Sequence, residues 1–195
     1  MMAMIKIRER YNKILLLTVL TLITGFVNAY VFTYYPLTTY ISPTIPPVIF
    51  KYGSGTGKRD LRETIITVSI GSANTSISIT LHPTYQKTYY KDIARINNTD
   101  SNAYYIMIDV TRPLTNSKIT SAKMYFYEGN IMKLEVNLLT TGRTSYVQIN
   151  GKAEWIINVE IEISETDGSY NNPPFTSDSA TLKLIYSTQN IETPP

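Results

Sequence analysis

The 195-residue chain predicts an all-β fold: a two-sheet antiparallel sandwich of the immunoglobulin-like or jelly-roll type, with an extended N-terminal strand and a hydrophobic signal helix before it. Three observations carry that expectation. About ten short segments alternate apolar and polar residues and are separated by Gly, Asn and Pro turns. The composition is rich in β-branched residues and in Tyr, of which there are 16. Cys is absent, so packing or association between copies has to supply the stability that disulfides give many small exported domains.

Residues 1–29 read as a secretion leader. Lys6, Arg8, Arg10 and Lys13 make a basic head, Ile14 to Val27 is an apolar run of 14 residues, and Ala29 ends a small-residue cleavage site. That run is shorter than the roughly 18 residues of a spanning helix. Including Tyr30 to Phe32 brings it near that length, so an uncleaved anchor stays open as the alternative. The leader is the one expected membrane contact. It holds four of the 18 basic residues and one of the 15 acidic ones, leaving 14 of each in the remainder. A net charge of zero offers no electrostatic footprint for nucleic acid and removes one barrier to self-association.

Residues 30–50 follow as an extended N-terminal strand. Pro36, Pro43, Pro46 and Pro47 exclude a helix and confine any strand to an edge or an interruption. Val31, Thr33, Tyr35, Leu37, Thr39 and Ile41 share one face; Tyr30, Phe32, Tyr34 and Tyr40 share the other. Apolar groups on both faces call for burial between sheets. Residues 51–62 contain Gly53, Gly55 and Gly57 and predict a flexible hinge. They fail as a phosphate loop, because only three residues separate Gly53 from Gly57 and Arg59 stands where Ser or Thr is needed.

The sandwich is expected over residues 63–195. Thr64–Ile70 and Thr75–Leu81 form a hairpin across Gly71–Asn74, with Ile77, Ile79 and Leu81 on one face. Thr88–Asn97 leans to strand although Ile93 and Ile96 have helical spacing, and Asn97–Ser101 is a turn before the strand Ala103–Thr111. Ala122–Tyr127 pairs with Ile131–Leu139, whose Met132, Leu134, Val136 and Leu138 face one way. Tyr146–Ile149 is short. Ala153–Ser164 is the longest strand, with Trp155, Ile157, Val159, Ile161 and Ile163 inward and Glu154, Asn158, Glu160 and Glu162 outward. Glu165–Ser179 is a loop, and Ala180–Tyr186 is the last strand.

Catalytic signals are sparse, and the expectation is a protein that is not an enzyme and needs no cofactor and no metal. The one histidine, His82, lacks His or Cys partners and reads as a surface or edge residue. Glu160 and Glu162 lie about 6.6 Å apart along a strand, within range of a glycosidase pair. Their alternation with Val159 and Ile161 also describes an ordinary wetted strand face. Asp100, Asp167 and Asp178 lie in loops without the spacing of a Ca²⁺ site. Tyrosines such as Tyr89, Tyr125 and Tyr127 suit cross-strand aromatic pairs, with glycan or protein contact as the alternative. Asn74 and Asn97 begin N-glycosylation sequons in expected turns.

A leader, an extended apolar strand running from Tyr34-Tyr35-Pro36 to Pro46-Pro47-Val48-Ile49-Phe50, a Gly-rich stretch and a Cys-free, Tyr- and Thr-rich sandwich make a recognisable order of parts. In that layout the chain resembles the subunits of archaeal threads and bundling pili, and more distantly the fibre-forming matrix proteins of bacterial biofilms. The resemblance implies a homopolymer joined head to tail, in which Tyr30 to Ile41 of one subunit fills a strand-shaped gap in its neighbour. It also implies contacts with neighbouring filaments or cell surfaces. The alternative is a monomeric or membrane-anchored adhesion or glycan-binding module whose N-terminal strand closes its own sandwich. Met132 to Leu138 and Trp155 to Ile163 are the candidate walls of the acceptor groove.

Overall fold

In the computed structural model the described residues are 2–27, 36–61, 63–84, 86–164 and 177–191. They fall into two units, Met1–Pro43 and Thr44–Pro195. The first contains helix α1, Met2–Val27, and an irregular segment from Pro36 onward in which Leu37, Tyr40 and Ile41 are each about 90 % exposed. Among the described residues no helix is long and apolar enough to cross a membrane.

The second unit is all β. Its strands are β1 (Val48–Tyr52), β2 (Thr67–Ile70), β3 (Ile77–Thr80), β4 (Gln86–Asn98), β5 (Tyr104–Arg112) and β6 (Ile119–Glu128), then β7 (Ile131–Asn137), β8 (Gly142–Arg143), β9 (Val147–Ile149), β10 (Glu154–Ile163) and β11 (Thr181–Ser187). A five-stranded antiparallel sheet has the order β1-β4-β10-β6-β7. A second sheet has the order β11-β5-β8, with β9 also on β5, and β2 pairs with β3 alone. The layers meet in one core: Ile106 and Ile108 of β5 pack with Ile96, Phe126, Trp155 and Ile157 of the larger sheet. Trp155 and Ile96 are wholly buried and register-paired between β10 and β4. Each such side chain contributes about 1.5–3 kcal/mol by burial.

All five predicted inward residues of β10 are buried. Asn158, expected on the wet face, is buried too, because the β10–β4 register shifts between Ile157 and Val159. Its Oδ1 accepts a 2.7 Å hydrogen bond from the Asp92 backbone N–H, and its Nδ2 donates to the Tyr89 hydroxyl. Asp92 has φ +49°, and Arg95 grips its carboxylate at 2.8 and 2.6 Å while reaching Glu154 at 2.6 Å. That guanidinium holds the Asp92 carboxyl down to about 2, against the opposing effect of burial and with help from Ser54.

Two expected boundaries change. Val48–Tyr52 is not the end of a free N-terminal strand; it is an edge strand of the five-stranded sheet, with Phe50 opposite Ile96. Residues 51–62 are not a loose hinge either. Gly53 N–H donates to Ile93 O, Gly55 N–H donates to Asp92 O at 2.7 Å, and Gly57 N–H donates to Ile66 O. A side chain at Gly53 would overlap the Asp92 carbonyl, so glycine there permits a close backbone approach rather than mobility. The expected loop 165–179 lies outside the described residues from 165 to 176.

Candidate functional site

Between the two layers lies an apolar groove of about 860 Å³, contained within the second unit. Its floor includes Phe126, Ile157, Val159 and Ile161, all buried. One wall is β3 and the residue after it, with Ile77, Ile79 and Leu81 turned inward; the other is β11, with Leu182 and Leu184. These wall residues are only half-buried, while the polar residues that alternate with them, Ser78, Thr80, Thr181 and Lys183, are exposed.

The backbone explains why the walls stay uncovered. Among the described residues β3 pairs only with β2, and β11 only with β5. Each wall therefore presents one strand edge with no ladder partner, and the two edges flank the same groove. A strand edge with free N–H and C=O groups is a template for another strand. Here it sits above an apolar floor that would take every second side chain of that strand.

The sequence places the candidate walls of an acceptor groove at Met132–Leu138 and Trp155–Ile163. Ile157 to Ile163 do supply its floor, and Leu138 lines it. Met132, Leu134, Val136 and Trp155 do not: Met132 is half exposed near the β6–β7 turn, where the register shifts between Phe126 and Tyr127, and the other three are buried in the core. The walls on β3 and β11 are what sequence reasoning missed as a site. The alternation of Ile77, Ile79 and Leu81 was visible, but alternation marks a face and is silent about a missing neighbour.

Of the expected donor residues, Leu37, Thr39, Tyr40 and Ile41 are exposed and in no strand. Tyr30, Val31, Phe32, Thr33, Tyr34 and Tyr35 lie outside the described residues, as does the cleavage position Ala29. Asn74 is exposed in the β2–β3 turn, where its carbonyl accepts the Phe50 N–H at 2.8 Å. Asn97 is not in a turn. It lies within β4 between Ile49 of β1 and Glu154 of β10, and the strand continues to the wholly buried Asn98. Asn98 donates to the Asn102 and Asn150 carbonyls and accepts the Asp100 N–H, so this corner is fixed by internal hydrogen bonds.

His82 lines one part of the groove rim, and its Nδ1 lies 3.3 Å from Oδ2 of Asp60, a carboxylate only 3 % exposed. The Tyr90 hydroxyl is pushed well above its ordinary range by burial and then by Asp60. Lys87 stands 3.2 Å from Glu160 and 3.8 Å from Glu162. The hydrogen bond to Glu160 raises the Lys87 ammonium, so the two carboxylates share a cation. Asp100 is held down to about 2 by the Tyr104 hydroxyl and nearby backbone N–H groups. Asp178 accepts the Thr115 and Asn116 N–H groups at 2.7 and 2.8 Å. Tyr125 lies 6.4 Å from Tyr127, two residues on along β6, and 6.4 Å from Tyr89 of β4 across the intervening β10, tilted against each, so the contacts are not the directly opposed cross-strand pairs expected.

The chain matches no known protein family and no curated protein.

Proposed function

We propose that this chain is the structural subunit of an extracellular pilus- or thread-like filament, exported by its N-terminal leader and polymerised by insertion of each N-terminal segment into the next subunit's groove. The observation that carries this reading is the groove itself, two strand edges without a ladder partner among the described residues, over an apolar floor. An inserted strand gains main-chain hydrogen bonds on both sides and pockets for alternate side chains. A head-to-tail contact of that kind does not close on itself, so it propagates. The exposure of Leu37 and Ile41 supplies the complementary apolar surface.

The competing reading is a monomeric or membrane-anchored adhesion module. The Tyr89, Tyr125 and Tyr127 cluster on the outer face of the larger sheet favours it, since aromatic side chains with polar tips suit glycan or protein contact.

Light scattering of the chain from Tyr30 to Pro195, beside the chain from Pro47 to Pro195, separates the two. The second start point retains β1. The filament reading expects large assemblies from the first and monomers from the second; monomers from both would favour the adhesion module.

A further inference from the structure

We infer that the groove's occupant is the six-residue segment Leu37–Ser42 of a second copy, with Leu37, Thr39 and Ile41 pointing inward; this rests on the filament reading and narrows it. Three observations lead there.

The first concerns backbone donors. A strand lying between β3 and β11 would be central, flanked on each side by an edge that has no ladder partner among the described residues. Proline cannot donate to a ladder and is confined to edges, strand starts and bulges. Pro36 therefore divides the N-terminal stretch, and one continuous inserted strand from Tyr30 to Ile41 is excluded. Thr44–Ile45 is too short for a strand, so the nearest proline-free stretch of strand length is Leu37–Ser42, bounded by Pro36 and Pro43. Its length falls between the four residues of β3 and the seven of β11.

The second is alternation. Leu37, Thr39 and Ile41 share one face of an extended chain, and Thr38, Tyr40 and Ser42 the other. The walls of the groove have the same character, with Ile77, Ile79, Leu182 and Leu184 inward and Ser78, Thr80 and Lys183 exposed. An added Leu37–Ser42 strand continues both faces. The stretch before Pro36 has aromatic residues on both faces and would set Tyr30, Phe32 and Tyr34 among the exposed polar groups, three large rings against the single Tyr40 of Leu37–Ser42.

The third is solvent exposure and reach. Leu37 and Ile41, two large aliphatic side chains, are 91 % and 88 % exposed. Only residues 43–47 separate the segment from Val48, where β1 begins. Five extended residues span at most about 18 Å. The link is short and carries Pro43, Pro46 and Pro47, so little chain entropy is lost when it bridges two subunits.

The natural chain has no Cys, which makes disulfide trapping clean. Leu184→Cys in the full chain is combined in turn with Leu37→Cys, Thr39→Cys or Ile41→Cys, and separately with Val31→Cys, Thr33→Cys or Tyr35→Cys. A disulfide forms only where Cα atoms approach within about 7 Å. The expected result is a reducible ladder of dimers and higher species from the first set, at least tenfold stronger than from the second. A ladder from the second set alone overturns the assignment of the segment while leaving the filament reading intact. A reducible crosslink confined to the monomer overturns the assignment to a second copy. No crosslink from either set also overturns the proposal, and the filament reading falls with it if the parent chain forms no filaments. Thr39→Pro gives a check that leaves the groove untouched: it should reduce assembly at least tenfold, whereas Thr33→Pro leaves assembly unchanged. The reverse order contradicts the inference.

Discussion

Ile79 of β3 and Leu184 of β11 line one groove, although their strands share no ladder and belong to different sheets. Everything proposed for this chain turns on that gap. Placing a carboxylate at Ile79 puts an uncompensated charge against the apolar floor whenever a strand is inserted, at a cost of several kcal/mol. Before insertion, the half-buried position leaves the new side chain access to water. Ile79→Asp should therefore keep the far-UV circular dichroism of the parent chain and lose assembly by at least tenfold in sedimentation. Ile79 is half-buried and packed against the core, so loss of the β signal itself would mean that this packing cannot take the charge even without an inserted strand.

Glycine at position 53 holds the chain against β4. Gly53→Ala should destabilise by about 3 kcal/mol or more, since the new Cβ would meet the Asp92 and Ala94 backbone, which cannot swing aside. Gly129 has φ +60° and open space around it, so Gly129→Ala should cost only about 1–2 kcal/mol. Denaturant melts of the two variants check the order.

Acid should weaken the fold through Asp92. Its carboxyl is lowered from 3.8 to about 2 in the folded chain, chiefly by Arg95. A depressed carboxyl stabilises above its unfolded value and loses that contribution as the pH falls through the folded one. The window is therefore from about pH 4 down to about pH 2, and the contribution at neutral pH is about 2 kcal/mol. Asp92→Asn should lower stability at pH 7 by about that amount and flatten the acid dependence in this window. The part due to Asp100, also held down to about 2, should remain. An unchanged pH slope would argue against the Arg95 contact.

Asn98 is wholly buried with three hydrogen bonds to neighbouring backbone. Asn98→Ala leaves those groups without partners and should cost about 2–4 kcal/mol in a denaturant melt.

Glycan occupancy should differ between the sequons. In a host that adds N-glycans, Asn74→Gln should remove a mass increment and Asn97→Gln should not, because Asn97 lies within a strand paired on both sides. A glycopeptide carrying Asn97 would contradict this.

Much of the fold was legible because one-sided alternation is a local signal. The inward row from Trp155 to Ile163 and the hairpin around Gly71–Asn74 needed nothing beyond neighbours in sequence. Asn158 was misread because a register shift lies between Ile157 and Val159, and a bulge depends on the partner strand. Gly53 to Gly57 looked like a hinge because glycine serves mobility and close approach equally well; only the Asp92 carbonyl overhead tells them apart. Val48–Tyr52 reads as strand in either setting, and its pairing with β4 is a long-range fact. The alternation of Leu37, Thr39 and Ile41 was legible in the sequence. The groove between β3 and β11 was not, because which strand edges pair is a long-range property that no local pattern carries.

Negative-stain electron microscopy of the chain beginning at Tyr30, beside the same chain lacking Leu37–Ser42, is the decisive measurement on the proposed inserted strand. Filaments from the first and dispersed single particles from the second are the expected result. Filaments of the same width and length from both would contradict it.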